Sequence, residues 1–390
     1  MSGTLLIASG RISAEPWSIE PRLGVSADYG TNPSLRPLDP HSEEHVAALF
    51  SLPLRYDADG VGLLFSPSGR ISNSRGYSSL ASNYLHLDVN AQFINDLGST
   101  SVQGELARDS SLAYAGQFAN GIGVRRDTAL TSADWTRSLT ERSVLQLDAS
   151  WTQVSYAQPP NATVLTDYRY ITAGPTFSFA LTERDTIKLL SGFGRYQSLN
   201  GITESKSENL QLGFVRQLNE LWSLSTTAGY SRSTNTQKVF LGPFFLGSVS
   251  SNQNGAVYAA TLTRQGEQFS FNGGISRSLQ PTGFGYLSRQ DNVTLNATYT
   301  LSERWDFATT AVWYKAQNPS AIGAQVYRGA GASDVRYINV QLTANWHWTP
   351  QWVVSLHATR VTQQYGPPSV SSGSSGISLD VVRQFLRIDL

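Results

Sequence analysis

Apolar and polar residues alternate with a period of two along most of the chain. The segment NYLHLDVNAQF places Leu85, Leu87 and Val89 on one side, and its other side carries His86 and Asp88. The segments YINVQLTANWHW and QFSFNGGIS repeat this alternation. Such a pattern over about ten residues is typical of a β-strand whose two faces meet different environments. No segment shows a helical period, so the pattern predicts an all-β fold.

The alternation predicts about eighteen strands. Their first clear apolar positions are Ile19, Val46, Val61, Leu85, Val102, Ala129, Leu145, Ile171, Ile187, Leu210, Trp222, Ala256, Phe269, Val293, Trp305, Ile338, Trp352 and Ile377. The last strand is the weakest, because its apolar side changes near Val382, where a bulge is expected.

The predicted connections alternate between short and long. The short ones share a polar turn beside an apolar residue, as in SLTERS, ALTERD and TLSERW, which recur about every forty residues. The long ones are rich in Gly, Ser, Asn and Pro, at 31–43, 110–123, 231–252 and 316–333. This arrangement predicts a transmembrane antiparallel up-and-down β-barrel of about eighteen strands, with short periplasmic turns and long extracellular loops. Closure is needed because every backbone polar group in lipid requires a partner.

Composition fits a barrel of the bacterial outer membrane. Charged residues make up 15% of the 390 residues, against roughly 25% in average soluble domains. No apolar run is long enough for a membrane-spanning helix. Aromatic residues cluster on the apolar side near the short turns, as expected at a membrane interface: Phe93, Trp135, Phe179, Trp222, Tyr299, Trp305, Trp348 and Trp352. A soluble β-sandwich or propeller with these aromatic residues in its core is the alternative.

Residues 1–17 stand apart from the predicted barrel. TLLIA followed by ISAEP has a short apolar core without a basic start, which leaves two readings: a truncated signal peptide or a disordered tail. Residues 18–390 are predicted to form one barrel.

If the polar face of each alternating strand points to the barrel interior, the polar positions predict the residues that line the lumen. Neutral hydroxyl and amide side chains predominate, and the charges are sparse and of both signs. The lumen-lining candidates are Tyr84, Asp88, Glu105, Asp148, Tyr168, Tyr170, Lys188, Tyr196, Asp306, Tyr314, Tyr337, Arg383 and Arg387. Eighteen strands enclose an aqueous channel unless something fills it. The apolar VFLGPFFLG segment, with Phe240, Phe244 and Phe245, is a candidate constriction loop, an outward hairpin or an interaction surface.

The sequence gives little support for a catalytic site or a metal site. The chain has no cysteine, which excludes thiolate ligands and a cysteine nucleophile. His41 and His45 fall in a predicted loop, so solvated residues are expected there rather than a metal site.

His347 and His357 are expected to meet across the last short turn. Ser355 with His357 and Asn345 is too common a coincidence in a serine-rich lumen to indicate a hydrolase. We therefore expect no enzyme, no cofactor and no metal, and a net charge of +0 without a basic patch argues against nucleic acid.

The LTER and LSER turns, the aromatic-rich alternating strands and the RQFLRIDL ending resemble the β-barrel porin type 2 family of Gram-negative outer-membrane proteins. The resemblance covers roughly residues 19–390 and consists mostly of architecture and turn style. It implies a channel for exopolysaccharide export that works with a periplasmic polysaccharide export protein. The final leucine, Leu390, departs from the usual aromatic ending.

Three functions follow from these observations. The first is a polysaccharide channel, whose neutral lumen and tyrosine rings would suit sugar chains. The second is a general diffusion porin for small hydrophilic solutes, which a charged constriction with opposed acidic and basic rows would favour. The sequence shows no such row. The third is a blocked scaffold or binding barrel. Outer-membrane lipid or lipopolysaccharide is the expected surrounding partner.

Overall fold

A computed structural model describes residues 17–33, 35, 40–73, 83–110, 124–157, 165–241, 244–283, 286–317, 335–365 and 370–390. Residues 1–16, and with them nearly all of the predicted N-terminal segment, lie outside the described residues.

The described part of the chain contains eighteen strands, three of them interrupted. They are β1 (Trp17–Ile19 and Arg22–Thr31), β2 (Ser42–Ser51 and Leu54–Ala58), β3 (Val61–Ser72), β4 (Tyr84–Asn95), β5 (Gly98–Ser110), β6 (Arg125–Ser138), β7 (Ser143–Ala157), β8 (Tyr168–Ala180), β9 (Asp185–Ser198), β10 (Thr203–Gln217), β11 (Trp222–Leu241), β12 (Phe244–Gln265), β13 (Phe269–Pro281), β14 (Leu287–Ser302), β15 (Trp305–Gln317), β16 (Val335–Thr349), β17 (Trp352–Tyr365) and β18 (Val370–Gln384 and Ile388–Asp389). Each of the eighteen predicted strands corresponds to one of these.

Each strand pairs antiparallel with its neighbours in sequence, and β18 closes the sheet by pairing with β1. Ser26 stands opposite Asp380 in that closing pair, and Ile19 stands opposite Ile388. The interruptions of β1 and β2 contain Pro21 and Pro53, which have no N–H to donate to the ladder. The interruption of β18, at 385–387, lies close to the bulge predicted near Val382. The prediction of a closed up-and-down barrel is confirmed.

The recurring polar turn is stabilised by its own side chain. Thr140 Oγ1 accepts hydrogen bonds from the backbone N–H groups of Arg142 and Ser143, at 3.3 and 3.1 Å. Thr182 Oγ1 accepts from Arg184 and Asp185 at 3.1 and 3.0 Å. A short hydroxyl or amide side chain at this position satisfies the N–H groups that the tight turn leaves without partners. Other short turns use the same contact, from Asn95, Asn219, Ser302 and Thr349.

One face of the sheet is apolar and exposed over the whole circumference. Leu212 is 65% exposed and Leu210 59%, and many Leu, Ile, Val and Phe side chains on the same parity are similarly exposed. The predicted aromatic residues lie on this face near the short turns, where Trp305 and Trp346 stack with ring centroids 6.0 Å apart. A closed sheet with an apolar exterior and aromatic residues at its rim spans a membrane. In the described residues, no helix is long and apolar enough to cross one.

The prediction of a loop at 231–252 is wrong. The structure forms strand there: β11 continues to Leu241 and β12 begins at Phe244, and their pairing runs up to the tip. Polar side chains also pair across this hairpin, with Thr234 donating to Asn252 at 2.9 Å. This part of the hairpin extends beyond the apolar belt, so both of its faces carry polar residues. The sequence therefore shows no alternation there, although the strands continue.

Candidate functional site: the barrel lumen

Pairing register assigns each residue to a face, because residues opposite each other in an antiparallel pair point to the same side. The inner face is the one opposite the exposed apolar face. The register places eleven candidates on it: Tyr84, Asp88, Glu105, Asp148, Tyr168, Tyr170, Lys188, Tyr196, Asp306, Tyr314 and Tyr337.

Two predicted lumen arginines lie elsewhere. The prediction for Arg383 is wrong: it stands opposite Trp352 and Leu23 on the outer face. Its guanidinium lies 5.7 Å from the Trp352 ring centroid and 4.8 Å from that of Phe385, a favourable position for a cation at an aromatic membrane interface. Arg387 lies in the interruption of β18 at the short-turn rim, where its Nε donates to Asp389 at 2.7 Å.

Tyr168 and Tyr196 are covered by a turn from a distant part of the barrel. They are 2% and 0% exposed and belong to one apolar cluster with Leu287, at the start of β14. The turn between β13 and β14 reaches this wall, because the Thr166 N–H donates to the Gly283 carbonyl at 2.7 Å. Burial in the same turn raises the pKa of Tyr286 to about 12.

Pairing in the sheet explains how this turn reaches so far. The β12–β13 ladder ends at Tyr258 opposite Arg277, whereas β13 and β14 stay paired up to Pro281 opposite Leu287. The end of the β13–β14 hairpin is therefore free to leave the wall and lean into the barrel.

A second inward contact covers another tyrosine pair. Tyr314 and Tyr337 stand opposite each other on the inner face of β15 and β16, with ring centroids 5.2 Å apart. Leu35, from the segment between β1 and β2, packs against them and is 4% exposed. Four of the predicted lumen tyrosines are thus buried under inward segments, and their ring faces are not open to a solute.

Charged side chains converge on the inner face of β1–β3 and β17–β18. Arg70 forms an ion pair with Asp28 across β2, and its Nη1 lies 3.5 Å from Ser26 Oγ. His357 Nε2 lies 3.3 Å from Asp380 Oδ2. A cavity of about 380 Å³ opens beside these groups, lined by Asp28, Glu43, His45, Arg70, Tyr84 and His357 among others. Alternation placed Tyr84 and His357 inward, but the prediction that His45 lies in a loop is wrong, because His45 lies in β2 opposite Asp28. The sequence also did not show that closure of the barrel brings β18 beside β1.

A buried ion pair adjoins this region. Arg126 donates to both oxygens of Asp109, each at 2.9 Å, and both side chains are 4% exposed. His86 Nε2 lies 3.8 Å from the same carboxylate. The bidentate geometry satisfies both charged groups where water cannot reach them. The sequence analysis missed this pair, because both residues lie next to loops where the alternation fades.

Four carboxylates face the lumen on β4–β7. Asp88 stands opposite Glu105, and Asp134 stands opposite Asp148. Asp134 accepts a hydrogen bond from Gln146 at 2.6 Å, but in the described residues none of the four forms an ion pair. This acidic region contrasts with the expected sparse charges of both signs. Like charges placed directly opposite each other also destabilise a sheet, so their presence here points to a role in the channel.

Hydroxyl and amide side chains line the inner face of β7–β14. Ser150 and Thr172 hydroxyls lie 2.6 Å apart, Gln211 donates to Asn209 at 2.9 Å, and Ser270 and Thr298 hydroxyls lie 2.5 Å apart. Lys188 on β9 and Asp148 on β7 are the charged candidates on these strands.

The histidines do not pair as predicted. His347 Nε2 lies 2.7 Å from Asp306 Oδ2, and His357 contacts Thr343 and Asp380, so the two do not bond to each other. Because both ring nitrogens of His357 are engaged, Ser355 lacks the base that a nucleophile needs.

His41 and His45 each lie 3.2 Å from Glu43. In the described residues, no group of three ligands is arranged to hold a metal ion.

The candidate constriction residues lie at the tip of the β11–β12 hairpin. Phe244 is 72% exposed, Phe245 58% and Leu246 62%. Phe240 stands opposite Phe245 in the pairing register. Exposure on this scale favours a hairpin directed away from the lumen walls over a constriction packed inside them.

Solved structures of similar shape include outer-membrane porins. Pseudomonas aeruginosa OpdK, solved with vanillate, is 12% identical, with 95% of this chain and 99% of that chain covered and a TM-score of 0.47. Pseudomonas aeruginosa OccK2 (OpdF) is 11% identical over 96% of this chain and 98% of that chain, with a TM-score of 0.47. The unliganded ferric citrate transporter FecA is 10% identical over 96% and 79%, with a TM-score of 0.48.

No family model and no curated protein matches the sequence, so membership of the β-barrel porin type 2 family stays a prediction. Closure, the apolar exterior and the polar interior make this a channel-type barrel of the bacterial outer membrane. What passes through it has to be argued from its own lumen.

Proposed function

We propose that the barrel is a diffusion channel for small hydrophilic solutes that favours cations. The observation that carries the proposal is the row of four carboxylates on the inner face of β4–β7, none of which forms an ion pair with a residue that the structure describes. A lumen with excess negative charge lowers the energy of a passing cation and raises that of an anion. The adjoining wall of β8–β14 offers neutral hydroxyl and amide groups, which can replace water around a polar solute.

The inward segments support a limit on solute size. Leu35 enters from the β1–β2 connection, and Leu287 enters with the β13–β14 turn. Both are anchored on buried tyrosine pairs, so they narrow the passage from two sides. A narrowed lumen suits small solutes better than a polymer chain.

Exopolysaccharide export is the second candidate. The hydroxyl- and amide-rich wall of β7–β14 favours it, because neutral groups of this kind can exchange hydrogen bonds with a sliding sugar chain. The buried tyrosines weaken it, since they offer no ring face to a sugar. A polysaccharide substrate and a periplasmic polysaccharide export protein belong to this second proposal only.

Swelling of proteoliposomes tests the two candidates together. The refolded full-length barrel is reconstituted into vesicles, which are then diluted into isosmotic lysine, glutamate, a monosaccharide or a neutral oligosaccharide. We expect swelling to be fastest in lysine and slower in the monosaccharide and glutamate, with no swelling in the oligosaccharide.

Two controls make the outcome decisive. Vesicles without protein measure leakage, and faster migration of the unheated barrel on a gel verifies folding. Equal swelling in lysine and glutamate would contradict the cation preference. Entry of the oligosaccharide would favour the export channel, and no swelling at all would favour a blocked barrel.

A further inference from the structure

A polar cavity lies on the lumen side of the wall, where the β13–β14 hairpin leaves it. The β12–β13 ladder ends at Tyr258 opposite Arg277, and beyond this point the hairpin folds over the inner face of β8–β12. Arg289, on the hairpin, donates to the carbonyl of Asn254 on β12 at 3.0 Å. The wall and the hairpin border a cavity of about 260 Å³, which we call the hairpin cavity.

Neutral polar side chains line the hairpin cavity. Four come from the inner face of β10 and β11 and two from β13: Ser207, Asn209, Gln211, Ser231, Ser276 and Ser278. Two charged residues also border it, but Arg277 is held by two hydrogen bonds to Asp291, and Glu208 belongs to the outer face of β10. The lining therefore gives an ion no advantage over a neutral solute.

The two amides of this lining keep donors and acceptors for a ligand. Gln211 Nε2 donates to Asn209 Oδ1 at 2.9 Å. Within the part of the chain that the structure describes, this is the one hydrogen bond that either side chain makes, so the Asn209 N–H groups and Gln211 Oε1 remain available. The serine hydroxyls beside them can both donate and accept. Such a mixed set matches a ligand whose own groups donate and accept, as the hydroxyls of a polyol do.

An aromatic side chain, Tyr170 on β8, also borders the cavity. Gly194 makes room for it, because a Cβ at that position would lie 3.1 Å from Tyr170 Oη and 2.5 Å from Ser207 Oγ. The Tyr170 and Ser207 hydroxyls are hydrogen-bonded to each other. Tyr168 and Tyr196 are fully covered, whereas Tyr170 is only partly buried. An aromatic side chain with several convergent polar groups is typical of a small-molecule site.

We propose that the hairpin cavity binds one neutral polyol of monosaccharide size. Its volume lies just below the roughly 300–1,000 Å³ of clefts that hold drug-sized ligands, so the occupant is about one sugar ring, and a chain of sugars would extend beyond it. The inference rests on the proposed function in one respect, which is that the solute reaches the cavity through the lumen. It adds a solute class that the cavity retains during passage.

Saturation-transfer difference NMR on the refolded full-length barrel in detergent micelles tests the site. The probe is glucose, with inositol as a neutral competitor and lysine and glutamate as charged competitors. We expect a glucose signal that saturates with concentration, that inositol displaces, and that lysine and glutamate leave in place. Asn209→Ala with Gln211→Ala should weaken glucose binding at least tenfold.

The matched control is Asn90→Ala with Gln103→Ala. These two amides stand opposite each other on the inner face of β4–β5, on another wall of the lumen, and their removal should leave glucose binding unchanged. Gel migration verifies the folding of both variants. The reversal potential in a potassium chloride gradient, which should be the same for the wild type and both variants, tests the cation preference of the channel separately.

The proposal is overturned if the wild type gives no saturable glucose signal, if the Asn209/Gln211 variant keeps that signal, or if the control variant loses it equally. Displacement of glucose by lysine or glutamate as effectively as by inositol would also overturn it, in favour of a site for charged solutes. A cation-selective channel that does not bind glucose would contradict the polyol site and leave the proposed function standing.

Discussion

Two walls of the lumen differ in charge. Four carboxylates that form no ion pair in the described residues face the lumen on β4–β7, whereas hydroxyl and amide side chains predominate on the inner face of β8–β14. The whole chain has 29 basic and 29 acidic residues and a net charge of +0. The comparison shows that a neutral composition can conceal an acidic surface, because alternate residues of a strand belong to different environments.

The largest effect is expected from breaking the buried ion pair. Arg126→Leu leaves Asp109 buried without its partner, which should lower the free energy of unfolding by about 3–5 kcal/mol. Urea unfolding of the barrel in lipid vesicles measures this. The double variant Arg126→Leu with Asp109→Leu is the control and should recover much of the loss. Equal stability of the single variant and the wild type would contradict the claim that Asp109 is buried and depends on Arg126 as its partner.

A slightly smaller effect tests the assignment of faces itself. Leu212 and Gln211 are sequence neighbours, and the register places Leu212 on the outer face and Gln211 in the lumen. Leu212→Arg puts a charge into lipid and should lower the free energy of unfolding by about 2–4 kcal/mol near the bilayer centre. Gln211→Arg should change it much less. If the two arginines destabilised the barrel equally, the assignment of faces would be wrong.

Releasing the inward turn should have a moderate effect. Leu287→Ala removes a fully buried side chain from the tyrosine cluster and should weaken the docking of the turn by about 2 kcal/mol or more. The channel should then show a larger or noisier single-channel conductance. Leu212→Ala, on the outer face, is the control and should leave conductance unchanged. Identical traces for the wild type and Leu287→Ala would argue against a turn that narrows the lumen.

The smallest effect concerns the turns. Thr182→Val removes the hydroxyl that accepts two backbone hydrogen bonds and should reduce the free energy of unfolding by about 1 kcal/mol. Thr182→Ser keeps the hydroxyl and should stay close to the wild type. Equal stability of Thr182→Val and the wild type would contradict a contribution from these hydrogen bonds, and a loss in Thr182→Ser would measure the separate contribution of the methyl group.

The sequence predicted the barrel well because alternation, turn spacing and aromatic rims all follow from the membrane. Prediction of the strands from the sequence failed in the part of the barrel that extends beyond the membrane. At 231–252 both faces of the hairpin meet water, so the alternation disappears although the strands continue. The prediction that Arg383 faces the lumen was wrong because an arginine at the membrane interface can lie over aromatic rings on the outer face.

The lumen was less predictable for a different reason. Parity assigns a side chain to the interior but does not reveal what covers it. Leu35 and Leu287 cover tyrosines on strands far away in sequence, and only the three-dimensional path of the connections shows this. The opposition of Asp88 and Glu105 depends on the register of the hairpin, which the spacing of apolar residues fixes only to within a few positions.

The most direct test of the channel proposal is the reversal potential of the refolded barrel in a planar bilayer under a potassium chloride gradient. We expect a potential that shows preference for potassium over chloride. The variant Asp88→Asn with Glu105→Gln, Asp134→Asn and Asp148→Asn should lose most of that preference, while Glu204→Gln with Glu208→Gln on the outer face should keep it. A wild-type channel that favours chloride, or a preference that survives removal of all four lumen carboxylates, would contradict the proposal that these carboxylates select cations.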